Sequence, residues 1–120
     1  MLEDIYAPIY DQGVCGNCYA YTTVDGLNLH NKIRGNKVPR LSIQQLTECS
    51  SNSSLKLYNF GCQGGKFHIS LLYMAKSGLN KMKDYPTRIE TLTEGKLGEC
   101  EQLDKKVFKV DYWYNLRVED

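Results

Sequence analysis

Several features of membrane proteins and nucleic-acid-binding proteins are missing from this sequence of 120 residues. The longest nearly apolar run, Ile69 to Ala75, is far shorter than the roughly 18 residues of a membrane-spanning helix. No block of like charges occurs, and 15 basic and 14 acidic residues leave a formal net charge of +1. The composition therefore predicts neither a nucleic-acid partner nor a membrane partner.

An apolar signal region is also lacking, because Met1 to Asp4 opens the chain with two acidic residues. If the protein is exported, its targeting segment lies outside these residues. Internal repeats and low-complexity segments are lacking as well. The length and the 42% hydrophobic content suit one small domain with its own core.

The cysteine count is odd, which in an oxidising compartment leaves one free thiol after two disulfides. The five cysteines are Cys15, Cys18, Cys49, Cys62 and Cys100. Pairing four of these five and leaving out each in turn gives 15 schemes, and the sequence alone does not choose among them. The sequon Asn52-Ser53-Ser54 agrees with an exported protein, although such short patterns are common by chance.

The segment from Asp11 to Tyr21 contains two cysteines three positions apart, followed directly by an amphipathic pattern. The apolar residues Ala20, Val24 and Leu27 fall on one face of a helix. The pattern predicts a helix from Cys18 to Arg34, with Gly35 as its C-terminal cap. Because the N-terminus of a helix stabilises a thiolate, Cys18 is a candidate reactive thiol.

Two more helices are predicted from their end signals. Ser42 and Gln45 match a capping box, and Leu41 and Leu46 occupy the positions of a hydrophobic staple around it. A third helix is predicted over 67–77, after a tight turn at 61–65 and before a glycine cap at Gly78.

The rest of the chain is predicted to be mostly irregular. Lys81 to Gly98 is charged and interrupted by Tyr85-Pro86, so it is predicted to be a loop. Val107 to Tyr114 is rich in β-branched and aromatic residues and is predicted to be a strand. These elements describe a small helical domain with one strand at its end.

The motif Cys15-Gly16-Asn17-Cys18-Tyr19 resembles the C-G-[SA]-C-[WY] sequence around the nucleophile of papain and the cathepsins, departing from it at Asn17. Three further family features follow in order: the helix start at 41–46 with Cys49 after it, the Gly-Cys-x-Gly-Gly turn, and Gly78-Leu79 followed by Tyr85-Pro86. The chain therefore resembles the papain-like cysteine proteases.

The resemblance implies an α+β, papain-like fold with a mainly helical first half, a β-barrel-like second half and an active-site cleft between them. Residues 1–104 would form the helical half, with about three helices, and 105–120 would lead as a strand into the second half. The implied disulfides are Cys15–Cys62 and Cys49–Cys100, which leave Cys18 free.

The resemblance also implies roles for individual residues. Cys18 would be the nucleophile, and the Gln12 amide and the Cys18 backbone N–H would hold the oxyanion. The expected substrate-binding residues are Gly16, Gly64, Gly65, Phe67 and Phe60. Gly64 and Gly65 would pair with an extended peptide, and Phe67 would line the pocket for the residue two before the cleaved bond. The plain alternatives are an exposed glutamine, an ordinary turn and a core phenylalanine.

Neither His30 nor His68 matches the catalytic base of the family. That histidine and its partner asparagine lie about 130–150 residues after the cysteine, whereas this chain ends 102 residues after Cys18. We expect both histidines to be structural or surface residues, and the base to lie outside this chain.

The predicted function is cysteine-type endopeptidase activity without a metal or an organic cofactor. The expected partners are a peptide or protein substrate, a second half-domain or chain that supplies His and Asn, and an inhibitory propeptide. The expected location is lysosomal, vacuolar or extracellular. Whether the chain is complete, truncated or one chain of a cleaved enzyme stays open.

Three alternatives compete with this function. One is a non-catalytic papain-like binding module. A second is a thioredoxin-like C-x-x-C redox site, which needs a strand before the motif, where Pro8 stands. The third is a zinc site, which needs a second close pair of cysteines.

Overall fold

The protein is described by a computed structural model that covers residues 11–51, 57–101, 103–105 and 107–110. The helices of these ranges are α1 (Cys18–Ile33), α2 (Ile43–Cys49), α3 (Phe67–Lys76) and α4 (Ile89–Glu94). Extended segments pair in the same ranges only through isolated bridges. None of the described helices combines the length and apolarity needed to cross a membrane.

The first and third helices have the bounds that the sequence predicts, to within one residue. Helix α1 ends at Ile33 with Arg34 as its cap, and α3 ends at Lys76. The predicted glycine signals are present, since Gly35 has φ 77° and Gly78 has φ 74°. The Gly78 N–H donates to the Met74 carbonyl at 3.1 Å, which satisfies one of the last carbonyls of α3.

Only half of the predicted capping box forms at the start of α2. Ser42 Oγ accepts a hydrogen bond from the Gln45 N–H at 3.0 Å, as predicted. The Gln45 side chain does not return this bond; it donates to the Tyr73 hydroxyl and accepts from the Asn80 N–H. The Ser42 N–H instead donates to the Asn80 carbonyl at 2.9 Å. The glutamine therefore connects α2 to α3 and to the segment after it.

The core lies where α1, α2 and α3 meet. The staple residues Leu41 and Leu46 are 2% and 0% exposed and belong to this core. Other buried members are Tyr19, Ala20, Val24, Ile43, Leu57, Tyr73, Met74 and Leu79. Gly26 of α1 does not contribute, because a Cβ there would meet nothing within 4 Å. A glycine inside a helix costs about 1 kcal/mol relative to alanine, and no close packing requires it at this position.

Helix α4 was not predicted, because its segment was assigned to a charged loop. Its six residues include two threonines, and its cap Arg88 makes no side-chain cap hydrogen bond. Contacts with distant parts of the chain hold it instead. Thr91 Oγ1 accepts from Gln44 Nε2 of α2, and the Leu92 carbonyl accepts from the Val14 N–H, each at 2.9 Å.

The predicted strand at 107–114 is wrong for the part that the structure describes. Residues 107–110 pair only at Phe108, which forms an antiparallel bridge with Leu79 through two hydrogen bonds of 2.9 Å. Residues 111–114 lie outside the described ranges. The division into 1–104 and 105–120 stays a prediction.

Candidate functional site

Disulfides use four of the five cysteines and leave Cys18 as the free and exposed one. The bonds join Cys15 to Cys62 and Cys49 to Cys100, the pairs that the resemblance implies. Because Cys15 does not pair with Cys18, the structure does not support a C-x-x-C redox site. No cluster of three or more metal-ligating side chains occurs within the described residues.

Cys18 is the first residue of the 16-residue helix α1. The residue before it, Asn17, does not cap the helix with its side chain, which donates to Thr47 Oγ1 at 3.0 Å in the interior. The first N–H groups of an α-helix have no intrahelical acceptor. They and the helix dipole therefore favour negative charge at the position of the Cys18 thiol.

The cysteine loop and the glycine turn contact each other on both sides of Cys18. On one side, the Gly16 N–H donates to the Cys62 carbonyl at 2.9 Å. A Cβ on Gly16 would lie 2.6 Å from that carbonyl oxygen, so only glycine fits there. On the other side, the Tyr19 hydroxyl donates to the Gly61 carbonyl at 2.8 Å. These bonds and the Cys15–Cys62 disulfide fix the thiol beside the turn.

Gln12 is held against the same loop. Its Nε2 donates to the Cys15 carbonyl at 2.6 Å. A carboxamide nitrogen carries two N–H groups, so this bond orients the side chain and leaves a second donor. The unpredicted helix α4 supports the backbone of this loop through Gly13, where a Cβ would lie 2.1 Å from the Leu92 carbonyl oxygen.

Gly64 and Gly65, the glycine shelf, face opposite directions. Gly64 has φ 108°, and a Cβ on it would meet nothing within 4 Å. A Cβ on Gly65 would lie 2.6 Å from Asn59 Oδ1 and 2.8 Å from Tyr19 Cδ1. The Gly64 carbonyl accepts from the Phe60 N–H at 2.8 Å, which closes the turn. A side chain would therefore have room at Gly64 but not at Gly65, although Gly65 itself is exposed and Gly64 is half-buried.

Asn59 positions the shelf, and the sequence analysis missed it. The residue is 1% exposed, and its Nδ2 donates to Ser50 Oγ and Ser70 Oγ. Its Oδ1 accepts from the Lys66 N–H at 2.7 Å, at the end of the shelf. A polar residue before a turn carries no signal of such a role, because its partners lie on distant segments.

The two predicted pocket phenylalanines are on the surface. Phe60 is 65% exposed and Phe67 is 55% exposed, so the alternative of Phe67 as a core residue is wrong. Phe60 borders an open groove of about 650 Å³. The other lining residues are Ser51, Tyr58, Asn59, Gly61, Cys62, Gln63, Gly95 and Leu97.

Both histidines are exposed, as predicted. His30 lies in the last turn of α1. It is twelve residues after Cys18, which at 1.5 Å per residue is about 18 Å along the helix. His30 therefore cannot take a proton from the Cys18 thiol.

Tyr19 has a structural part in the site. Burial raises the pKa of its hydroxyl from 10.0 to about 12. The residue is 1% exposed and donates to the Gly61 carbonyl. At neutral pH it is therefore a fixed hydrogen-bond donor that holds the turn.

Comparison with known proteins gives a family. The family model described as papain family cysteine protease matches residues 3–119. Germination-specific cysteine protease 1 of Arabidopsis thaliana is 35% identical over 116 residues, which are 94% of this chain and 28% of that protein. Chymopapain of Carica papaya is 34% identical over 103 residues, which are 86% of this chain and 26% of that protein.

A solved structure gives the same fold. The cysteine protease Amb a 11, a ragweed pollen allergen solved in its proform, superposes with a TM-score of 0.73 and 29% sequence identity. The match covers 92% of this chain and 31% of that one. The papain-like fold that the sequence predicts is therefore confirmed, and the chain spans between about a quarter and a third of the length of these relatives.

Proposed function

Because this chain belongs to the papain family of cysteine proteases, we propose that it carries the nucleophile of an endopeptidase, and that Cys18 is this nucleophile. One observation carries the proposal: the unpaired cysteine is exposed at the first residue of α1, beside the open glycine shelf. A thiolate there is favoured by the helix N-terminus and accessible to a peptide bound along the shelf.

In the proposed reaction, the Cys18 sulfur attacks the carbonyl carbon of the scissile peptide bond. The carbonyl oxygen becomes an oxyanion, which accepts hydrogen bonds from the Gln12 amide and the Cys18 backbone N–H. The tetrahedral intermediate collapses to a thioester as the protonated amine leaves. Water then attacks the thioester, releasing the acid product and returning the thiol.

The leaving amine must be protonated by an acid–base group close to the Cys18 sulfur. His30 lies about 18 Å away along α1. We propose that a second half-domain or chain supplies a histidine and the asparagine that orients it. Exposed apolar side chains support such a partner: Val14, on the cysteine loop, is 66% exposed, and Ile89, on α4, is 72% exposed.

The proposal extends to regulation, location and specificity. Exposure of Cys18 would require an inhibitory propeptide, and the relative Amb a 11 was solved in a proform. Two disulfides and the Asn52 sequon suit a lysosomal, vacuolar or extracellular protein. Phe67 beside the shelf favours an apolar side chain two residues before the cleaved bond.

The test is turnover of a fluorogenic peptide by the natural protein, together with its intact mass. We expect the 13.7 kDa chain to occur with a second polypeptide segment of similar size. Cys18→Ala should abolish turnover, and Gln12→Ala should lower kcat by about 10²–10³-fold. His30→Ala is the matched control and should leave turnover unchanged.

Normal turnover by Cys18→Ala would exclude Cys18 as the nucleophile. Suppose that the natural protein contains this chain and the second segment, and binds peptides without cleaving them. That result would favour the non-catalytic binding module instead.

A further inference from the structure

Lys66 follows the glycine shelf, and its backbone geometry fixes the direction of its side chain. The residue is extended, with φ −129° and ψ 144°. Successive side chains of an extended chain point to opposite sides. The preceding position, Gly65, faces Asn59 and Tyr19 in the interior. The Lys66 side chain therefore points away from Asn59 and Tyr19, and the residue is exposed.

The backbone of Lys66 is held in this orientation. Its N–H donates to Asn59 Oδ1 at 2.7 Å, and Asn59 is 1% exposed. Its carbonyl accepts from the Ser70 N–H at 3.1 Å in the first turn of α3. The base of the side chain is thus fixed, while its ammonium group is free to meet a bound molecule.

The sequence around Lys66 offers exposed apolar side chains and lacks acidic ones. Exposed aromatic side chains occur on both sides of it along the chain, at Phe60 and Phe67. A lysine stem can lie on such apolar surface with its ammonium in water. Residues 50–83 contain five lysines and neither aspartate nor glutamate. Among the ion pairs of the described residues, none involves Lys66.

From this geometry we propose that Lys66 selects substrates with an aspartate or glutamate three residues before the cleaved bond, next to the apolar residue that Phe67 favours. The inference rests on the proposed function, because it takes the shelf as the site of an extended peptide. An extended peptide rises about 3.3 Å per residue, so this position is one step beyond the residue beside Phe67 and within reach of a long lysine side chain. The carboxylate there pairs with the Lys66 ammonium.

The test uses the 120-residue chain and needs no catalytic histidine. Peptidyl chloromethyl ketones alkylate Cys18: a C–S bond forms, the C–Cl bond breaks and chloride leaves. Four reagents carry Glu or Gln at the third residue before the reactive ketone, each with Leu or Phe at the second, and two more carry Lys at the third. Chloroacetone, which has the same reactive group without a peptide, gives the reference rate.

We expect Glu reagents to label Cys18 about two- to fivefold faster than their Gln counterparts at low ionic strength, as for an exposed ion pair. The ratio of the Glu rate to the Gln rate should approach one in high salt. Lys66→Glu should reverse the charge preference, so that Lys reagents label faster than Glu reagents. Lys32→Glu makes the same change of charge in the last turn of α1 and should leave the ratio unchanged.

The two hypotheses fail in different ways. The first outcome compares the labelling rate of each peptidyl reagent with that of chloroacetone, after correction for the intrinsic reactivity of the two ketones. If the corrected rates are equal, the shelf does not bind peptides, and the proposed function loses its support together with this inference. If the peptidyl reagents label faster but Glu and Gln are equal, or the ratio survives Lys66→Glu, the role of Lys66 is overturned while the proposed function stands.

Discussion

Glu48 and Cys18 both belong to helix ends next to disulfide cysteines, yet the fold surrounds them in opposite ways. The Glu48 side chain has 0% of its surface exposed. Its Oε1 accepts from the Tyr85 hydroxyl, and its Oε2 accepts from Gln44 Nε2 and the Gly98 N–H. The Arg88 guanidinium lies 3.5 Å from Oε2. This group, the Glu48 cluster, leaves the carboxylate closed to any outside ligand.

Around Cys18 the side chains are open to solvent instead. The thiol is exposed, and Val14, Phe60 and Phe67 are each more than half exposed. Backbone hydrogen bonds and a disulfide fix this region, so its openness does not come from loose structure. The two regions differ in how they treat a polar side chain: the Glu48 cluster attaches the segment at 85–101 to α2, whereas Cys18 is left exposed to solvent.

The largest expected effect comes from removing the buried carboxylate. Glu48→Ala leaves Arg88, Tyr85 and the Gly98 N–H without their shared acceptor, so we expect the free energy of unfolding to fall by about 3–5 kcal/mol. Urea denaturation measures this loss. Glu94→Ala is the matched control, because its ion pair with Lys96 is exposed and should contribute less than about 1 kcal/mol. Equal effects would mean that the cluster does not hold the segment.

A smaller effect distinguishes two glycines. Gly65→Ala pushes a Cβ against Asn59 and Tyr19, and we expect it to destabilise the fold by about 1–3 kcal/mol. Gly26→Ala adds a methyl group in open space on α1 and should stabilise by about 0.5–1 kcal/mol. Thermal unfolding of both variants should show a lower melting temperature for Gly65→Ala and a higher one for Gly26→Ala. Stabilisation by Gly65→Ala would show that the interior face of the shelf is not packed as described.

The smallest effect is confined to alkaline pH. Burial raises the pKa of Tyr19 to about 12, and burial, followed by the hydrogen bond to Glu48, raises that of Tyr85. A tyrosine whose pKa is raised by folding contributes stability that is present below its unfolded pKa of about 10 and is lost as the pH rises through the folded pKa. The free energy of unfolding should therefore fall from about pH 10 upward. Tyr19→Phe should reduce this slope, and an unchanged slope would contradict the assignment.

Local signals in the sequence predicted the first three helices well. Ser42 and Gly78 occupy positions where the chain itself satisfies the end of a helix, so their partners are a few residues away. Helix α4 has a glycine cap of the same kind at Gly95, but its start has no side-chain cap. Gln44 and Val14, which also hold it, are distant in sequence. The predicted strand depended on β-propensity alone, and of its described residues only Phe108 forms a β-bridge.

The candidate site was predicted in a similar way. The cysteine motif and the glycine turn are each a contiguous stretch of sequence, so Cys18 and the shelf could be identified from the sequence alone. Asn59 and Lys66 could not, because their importance depends on which way the neighbouring Gly65 faces. Side-chain direction at a turn is a property of the folded backbone.

The most direct test of the central claim is the rate of iodoacetamide labelling of Cys18 at pH 5, in the 120-residue chain and in the natural protein. In the chain alone we expect labelling to be slow at pH 5 and to rise at least about tenfold by pH 8.5, because the thiolate is the reactive form of cysteine. On the proposal that a second segment places a histidine beside Cys18, the natural protein should label fast at pH 5 and hydrolyse a fluorogenic peptide. Fast labelling and turnover by the 120-residue chain alone, or equally slow labelling in both, would contradict the account.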